Sequence, residues 1–342
     1  MPDVVAVGLW LGVTAYAVLA GADFGAGFWD LAAGGASRGA RPRALIDRAI
    51  SPVWEANHVW LIFILVVLWT GFPQAFSAIF TTLFVPLALA ALGIVLRGAG
   101  FALRHVAQRL DVQRVLGASF AISSVLTPFF MGTVVGAVVS GRVPADGNGD
   151  RLGSWCNGMS IVVGLLFLAI CAYLAATFLI VDARRTGDAE LEGYFRRRAI
   201  GAGVVTGALA VAGIVALHED ARYVYDGLTS DGLPLVIVSA LSGMAALVAL
   251  ARGSAVWPRP FAVAAVATVV WGWGVAQHPY LLPTSLKIDA AAAPHATLVS
   301  LVVVLAAAVL IIAPALGLLY TLHQRSALDE EAPPAAAGSG DG

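Results

Sequence analysis

The chain has 342 residues, of which 59% are hydrophobic and 12% are charged, and its formal net charge is −1. Soluble domains carry about 25% charged residues, so this composition excludes an ordinary water-soluble globular protein. The twenty basic residues form no nucleic-acid-binding patch. The sequence therefore predicts an integral membrane protein without a nucleic-acid partner.

Long apolar runs define the membrane domain. A hydrocarbon core about 30 Å thick needs about 20 apolar residues per helix, and the runs are too long and too unalternating for barrel strands. Only helices or closed barrels satisfy the backbone in lipid, so residues 1–327 are predicted to form an all-α domain of about nine transmembrane helices. The first run is expected to stay in the membrane as an anchor. The predicted spans are 4–29, 53–70, 75–97, 117–140, 156–181, 199–217, 233–251, 259–277 and 297–322.

The basic residues predict the orientation. Sixteen of the twenty fall in alternate connections on one side of the predicted bundle, and such an excess is typical of the cytoplasmic side. The N-terminus is therefore predicted outside and the C-terminus in the cytoplasm. The sixteen are Arg38, Arg41, Arg43, Arg48, Arg97, Arg104, Arg109, Arg114, Arg184, Arg185, Arg196, Arg197, Arg198, Arg252, Arg259 and Arg325.

The span order suggests an internal repeat. Eight spans divide evenly into two four-helix bundles, which leaves the ninth as a peripheral helix. The segment AYAVLAGAD at 15–23 is similar to AYLAATFLIVD at 172–182, which supports two parallel repeats. The tail over 328–342 is acidic and then rich in Ala, Pro, Gly and Ser, a composition that predicts disorder.

Asp23 and Glu55 are the two acids within the predicted spans. An acid inside the hydrocarbon region indicates function. Asp23 lies 19 residues beyond Val4, about 28 Å along a helix, and therefore near the cytoplasmic boundary. Glu55 enters from the same side on the next span. The two acids are predicted to pass protons inward from the cytoplasm.

Structural explanations compete with this prediction. Ser51 and Pro52 are typical of a helix start, where Glu55 favours the helix dipole. Asp23 lies toward a helix end, where it is able to pair with a loop arginine.

Other polar residues accompany the acids. His58 lies three residues after Glu55 and shares its helix face; it is interpreted as a proton-relay member, a haem ligand or a structural residue. Arg97 is expected to neutralise an acid or bind lipid phosphate, and Asn57 and Trp54 to support the site. A haem needs axial ligands that face each other. No such pair is evident, and neither cysteine belongs to a metal-ligand motif, so no haem, other cofactor, metal or catalytic centre is expected in this chain.

Several motifs resemble subunit II of the cytochrome bd-type quinol oxidases. They are GADFGAGFWDL at 21–31, SPVWEANHVWLI at 51–62, GFPQAF at 71–76 and LRGAGFALRH at 96–105. The similarity covers about the first 105 residues, and several polar identities recur in the same order within a membrane span.

The resemblance implies a heterodimer in the bacterial cytoplasmic membrane. Subunit I would hold two b-type haems and one haem d, and the complex would oxidise quinol outside and reduce oxygen to water. This chain would stabilise subunit I and contribute to cytoplasmic proton uptake. A structural quinone or lipid and a small accessory subunit are further expectations. Glu55, Asp23 and Arg97 match the family's helix-two acid, helix-one acid and helix-three arginine.

The chain departs from the family pattern near the third span. Ala102 follows Phe101 where better-studied members have Asp, and Gly98 replaces a proline, so a second proton entrance is in doubt. Two alternatives to the oxidase interpretation are a proton- or cation-coupled secondary transporter and a scaffold without a role in proton movement.

Overall fold

The computed structural model describes residues 1–35, 37–50, 54–104 and 109–324. These residues form helices and one small two-stranded sheet. The helices are α1 (Pro2–Ala32), α2 (Ala40–Ile50), α3 (Trp54–Gly71), α4 (Pro73–Thr82), α5 (Phe84–Arg104), α6 (Leu110–Val139), α7 (Gly158–Arg185), α8 (Ala189–Asp220), α9 (Arg222–Thr229), α10 (Leu233–Ala251), α11 (Pro258–Gln277), α12 (Ile288–Ala291) and α13 (His295–Gln324). Strands β1 (Tyr280–Leu282) and β2 (Leu286–Lys287) pair antiparallel.

The all-α membrane class is confirmed. Seven described helices are long and apolar enough to cross a membrane, or eight if α2 and α3 are counted together as one broken span. The described residues of α13 provide a shorter apolar stretch, His295–Ile311. The predicted tail at 328–342, the proposed cap at Ser51 and the following Pro52 lie outside the described residues.

The third predicted span, 75–97, is divided. Helix α4 ends at Thr82, Leu83 leaves helical geometry, and α5 begins at Phe84. Pro86 has no N–H to donate to the carbonyl four residues earlier, at Thr82. The chain breaks in this turn, so the apolar run becomes a short helix followed by a span.

Several other helices extend past their apolar runs. Helix α8 covers Ala189–Asp220, whereas the predicted span was 199–217. The Asp188 side chain accepts a hydrogen bond from Leu191 N and caps α8. Charged residues with good helix propensity continue the helix beyond the apolar segment, which hydropathy alone does not detect.

Residues 1–302 form one compact unit. Within it, α1 packs on α3 and α6, and α5 packs on α6; α7, α8, α10 and α11 form a second group of four. Contacts of α7 with α1 and α6 join the two groups. The other unit begins at Val303 and contains the later part of α13, whose apolar side chains Val303, Val309 and Leu310 are exposed.

Glycine allows the central helices α1 and α7 to approach closely. A Cβ atom added at Gly25 would lie 1.8 Å from the carbonyl oxygen of Cys171. Around this contact, Phe24 and Leu174 are fully buried. The backbone contact therefore sets the distance between the two helices at the centre of the molecule.

Ion pairs hold the arginine-rich end together. Arg43 Nε donates to Asp30 Oδ1 at 2.8 Å, and Arg43 also donates to the carbonyl of Gly34 after α1. Asp30 is an acid of α1 that lies one residue beyond the predicted span and is nevertheless buried. Arg41 on α2 pairs with Asp188 and Glu190 at the start of α8.

The α1–α7 contact predicts a glycine requirement. Gly25→Ala should destabilise the protein by about 1–3 kcal/mol, because the helices must separate to admit the methyl group. Thermal unfolding of the purified protein measures the effect. Gly201→Ala on α8 is the control, since no atom lies within 4 Å of its added Cβ. Equal thermal midpoints for the two variants would contradict the prediction.

The α2–α8 connection predicts a pH dependence. The Leu191 N–H, followed by Arg41, lowers the pKa of Asp188 from its ordinary value of 3.8. A carboxyl whose pKa is lower in the folded state contributes stability above its unfolded pKa, and that stability is lost as the pH falls through the folded value. Asp188→Ala should therefore lower the thermal midpoint at pH 7 and lower it less at pH 3. Asp231→Ala, in an exposed loop, is the control; an Asp188 effect that is equal at both pH values would refute the linkage.

Candidate functional site

Four polar side chains meet inside the first group of helices. Asp23 comes from α1, Asn57 from α3, Arg97 from α5 and Ser124 from α6, so each helix supplies one member. All four are buried, with exposed fractions of 5% or less. We call these four residues the polar cluster.

Asn57 binds the carboxylate of the cluster. Its Nδ2 donates to Asp23 Oδ2 at 2.6 Å and lies 3.5 Å from the carbonyl oxygen of Leu19. Asn57 is on the inward face of α3, with 2% of its surface exposed. An amide in this position fixes one carboxylate oxygen without adding a charge.

Arg97 is buried in the same place. Its Nη2 donates to the main-chain oxygen of Asp23 at 3.0 Å and its Nε to Ser124 Oγ at 3.1 Å. The rings of Phe24 and Phe120 each lie 5.1 Å from the guanidinium carbon, within the range of cation–π attraction. With 1% of its surface exposed, Arg97 is not accessible to a lipid phosphate, and its guanidinium lies beside Asp23 instead.

Ser124 connects Arg97 to the backbone of α6 by hydrogen bonds. Its hydroxyl donates to the carbonyl of Phe120 at 2.6 Å while its oxygen accepts from Arg97. A Cβ added at Gly27 of α1 would lie 2.2 Å from Ser124 Oγ. The absence of a side chain at Gly27 therefore allows α6 to bring its serine to the arginine.

Glu55 does not join the cluster. It is exposed in the first turn of α3, and its carboxylate has no hydrogen bond or ion pair within the described part of the chain. It lies at one end of an exposed stripe whose other members are Val59, Ile62, Val66 and Trp69. Asn57, two residues later, points inward, so Glu55 and Asp23 lie on different sides of α3.

His58 lies at the edge of the cluster. Its ring is 5.8 Å from that of Phe24 and 6.3 Å from that of Tyr16. Its Nδ1 is buried and has no hydrogen-bond partner among the described residues. The Trp54 backbone begins α3, but its side chain lies outside the described part of the structure.

The imidazole of His58 lies among aromatic side chains. Aromatic rings pack beside the imidazole, and the Tyr16 hydroxyl donates to the sulfur of Met131 at 3.7 Å. Across the described ranges, no group of three or more His, Cys, Asp or Glu side chains is arranged to hold a metal ion. The haem-ligand interpretation of His58 stays a prediction.

Sequence reasoning identified Asp23, Asn57 and Arg97 but missed Ser124 and the buried Asp30. Serine is common in membrane helices, so Ser124 carries no local signal in the sequence. The sequence predicts a loop arginine as the partner of Asp23, whereas Asp30 is the acid that pairs with Arg43, on α2. The roles assigned to Glu55, Asp23 and His58 in proton movement stay predictions.

The fold and the polar cluster define a multi-pass helical membrane protein with ionisable groups buried in one four-helix group. Comparison with known families identifies the class further. The model of the family described as cytochrome bd terminal oxidase subunit II matches residues 1–323. The chain belongs to this family, which confirms the resemblance seen in the sequence and makes it a respiratory oxidoreductase subunit.

Curated relatives and a solved structure agree with this assignment. The chain is 25% identical to a putative cytochrome bd menaquinol oxidase subunit II of Bacillus subtilis over 65% of its length and 64% of the relative, slightly under two thirds. It is 22% identical to cytochrome bd-I ubiquinol oxidase subunit 2 of Escherichia coli, with 80% of each chain covered. A chain of the bd oxidase from Geobacillus thermodenitrificans superposes with a TM-score of 0.79 at 25% identity, covering 96% of this chain and 99% of that one. The family and the apolar helices together indicate a multi-pass bacterial membrane protein.

The buried charges predict a non-additive pair of substitutions. Arg97→Gln should destabilise the protein by about 3–5 kcal/mol, because it leaves the Asp23 carboxylate buried without its cation. Asp23→Asn added to Arg97→Gln should recover part of that loss, since both charges are then absent. Thermal unfolding of the two single variants and the double variant measures the coupling. A double variant whose loss of stability equals the sum of the two single-variant losses would show that the two charges are independent.

Proposed function

We propose that this chain is subunit II of a complex that oxidises quinol and reduces oxygen to water. Family membership over nearly the whole chain supports this proposal. The partner would be a haem-bearing subunit I with two b-type haems and one haem d, in the bacterial cytoplasmic membrane. This chain stabilises subunit I and contributes to proton uptake.

The polar cluster is the proposed proton-handling site. Asp23 is an ionisable group inside an apolar bundle, and such groups commonly mark proton relays. Asn57 binds one oxygen of its carboxylate, and Arg97 supplies a nearby positive charge. This environment positions an acid that is able to accept and release a proton, and it is the observation that carries the proposal.

Glu55 is proposed as the entrance to the route. It lies in the first turn of α3, at the end that the arginine bias assigns to the cytoplasm. A charged acid facing lipid is costly. We therefore assign the exposed stripe that begins at Glu55 to the contact with subunit I, where water or polar groups are able to solvate the carboxylate.

Asn57 and His58 follow Glu55 on α3 and lie near Asp23 of α1. Asn57 contacts Asp23 directly, and the buried Nδ1 of His58 provides a further polar atom near the cluster. In this proposal Asn57 orients the Asp23 carboxylate, while His58 and water molecules connect it to Glu55. Haem chemistry, which supplies electron transfer and oxygen reduction, belongs to the partner.

The transporter alternative has less support. Secondary transporters place their binding sites near the bilayer midplane on interrupted helices, whereas α1 runs unbroken through Asp23. The scaffold alternative predicts that the acids are dispensable for turnover. Purification with a haem-bearing partner therefore tests the transporter alternative, and turnover of an acid variant tests the scaffold alternative.

The experiment begins with the complex purified from its native membrane. A reduced-minus-oxidised visible spectrum should show b- and d-type haem bands together with a second large subunit. Oxygen consumption with quinol should fall by roughly tenfold or more in Glu55→Ala, because a proton donor is lost, while haem content is retained. Glu55→Asp should be nearly neutral because it keeps the carboxylate.

Asp111→Ala is the matched control, since Asp111 is an exposed acid in the first turn of α6 that pairs with Arg109. It should turn over like the unmodified complex. Unchanged turnover in Glu55→Ala would remove Glu55 from the route and favour the scaffold. A colourless preparation without a large partner would favour the transporter.

A further inference from the structure

Most arginines at the arginine-rich end near α8 have acidic partners. Glu192 binds both Arg184 and Arg196, and Asp188 and Glu190 bind Arg41. These pairs use the carboxylates at the start of α8. The next arginines along the helix therefore have no free carboxylate there to serve as a counter-ion.

Arg198 is a half-buried arginine on this part of α8 that is not paired with any of these acids. Its guanidinium carbon lies 3.3 Å from the centre of the Tyr194 ring and 5.7 Å from that of Trp29 on α1. Its Nη1 donates a hydrogen bond to the main-chain oxygen of Tyr194 at 3.4 Å. A guanidinium has five N–H donors, and no carboxylate binds Arg198 within the described ranges.

A second cation adds to this charge. Arg197 is exposed beside Arg198, and its positive charge acts on the Arg198 guanidinium. Arg197 likewise has no carboxylate partner in the part of the chain that the structure describes. Two neighbouring cations at the edge of an apolar medium repel each other, and a nearby anion offsets this repulsion.

The position of the pair indicates the source of that anion. The apolar run of α8 begins at Ala199, directly after Arg198. Trp29 donates its indole N–H to the carbonyl of Ala172 on α7, so its ring is fixed beside the arginine. Tryptophan and arginine at the end of an apolar helix are typical of the lipid headgroup level.

We infer that Arg197 and Arg198, with Trp29 and Tyr194, form a binding site for the phosphodiester of an acidic phospholipid. The planar guanidinium matches phosphate oxygens in geometry and charge. The aromatic rings hold Arg198 in place, so less side-chain entropy is lost when the headgroup binds. The lipid's acyl chains then lie along the exposed surface of α8, where Val204 and Val205 are exposed.

The test is native mass spectrometry of the purified complex during titration with phosphatidylglycerol. The Arg197→Gln, Arg198→Gln double variant should bind its tightest phosphatidylglycerol roughly tenfold more weakly, which is about 1.4 kcal/mol. Arg198→Lys should retain part of the affinity. Arg114→Gln is the matched control, because Arg114 is an exposed arginine of α6 at the same end and contacts no aromatic ring among the described residues.

Thermal unfolding supplies a second measurement that does not depend on turnover. Added phosphatidylglycerol should raise the midpoint of the unmodified complex and of Arg114→Gln more than that of the double variant. Phosphatidylcholine, whose headgroup has no net charge, should have a smaller effect. Equal lipid binding by the double variant would overturn the proposal, as would a phosphatidylcholine effect equal to that of phosphatidylglycerol. Inorganic phosphate that reproduced the whole stabilisation would assign the site to a free anion instead.

Discussion

The burial of Arg97 is the constraint on which the first helix group depends. A guanidinium inside an apolar bundle is stable only where acceptors and a counter-charge surround it. Asp23 supplies a main-chain acceptor and the charge, Ser124 supplies a hydroxyl, and two phenylalanine rings cover the faces. These requirements fix the rotation of α1, α5 and α6 about their axes and the depth at which they meet.

Close backbone packing makes this arrangement possible. Gly27 leaves room for Ser124, and Gly25 brings α1 against the backbone of α7. Helix α1 thus contributes to the polar cluster and also joins the two groups of four. In a membrane, where apolar side chains gain little by leaving lipid, small residues and buried polar contacts drive helix association. The same residues therefore serve stability and the proposed proton chemistry.

Charges buried in the bundle and charges at its surface are compensated in different ways. Inside the bundle, each charge is compensated by the protein, and the Asp23 carboxylate is held by Asn57. At the arginine-rich end several arginines pair with nearby acids, whereas Arg198 contacts two aromatic rings and one main-chain oxygen. Glu55 is the reverse case, an exposed acid on an apolar stripe. We propose that both surfaces are completed from outside the chain, by a lipid at Arg198 and by a subunit at Glu55.

The sequence by itself determined the membrane class, the approximate spans and the family, because long apolar runs and ordered polar motifs are local properties. It also identified Asp23 and Arg97, since a charge inside an apolar run is conspicuous. Only the tertiary structure decided that Asn57 rather than Glu55 contacts Asp23, and that Ser124 completes the cluster. A span that is apolar on nearly every side carries little information about its rotation, so the direction of each side chain is set by packing against neighbouring helices.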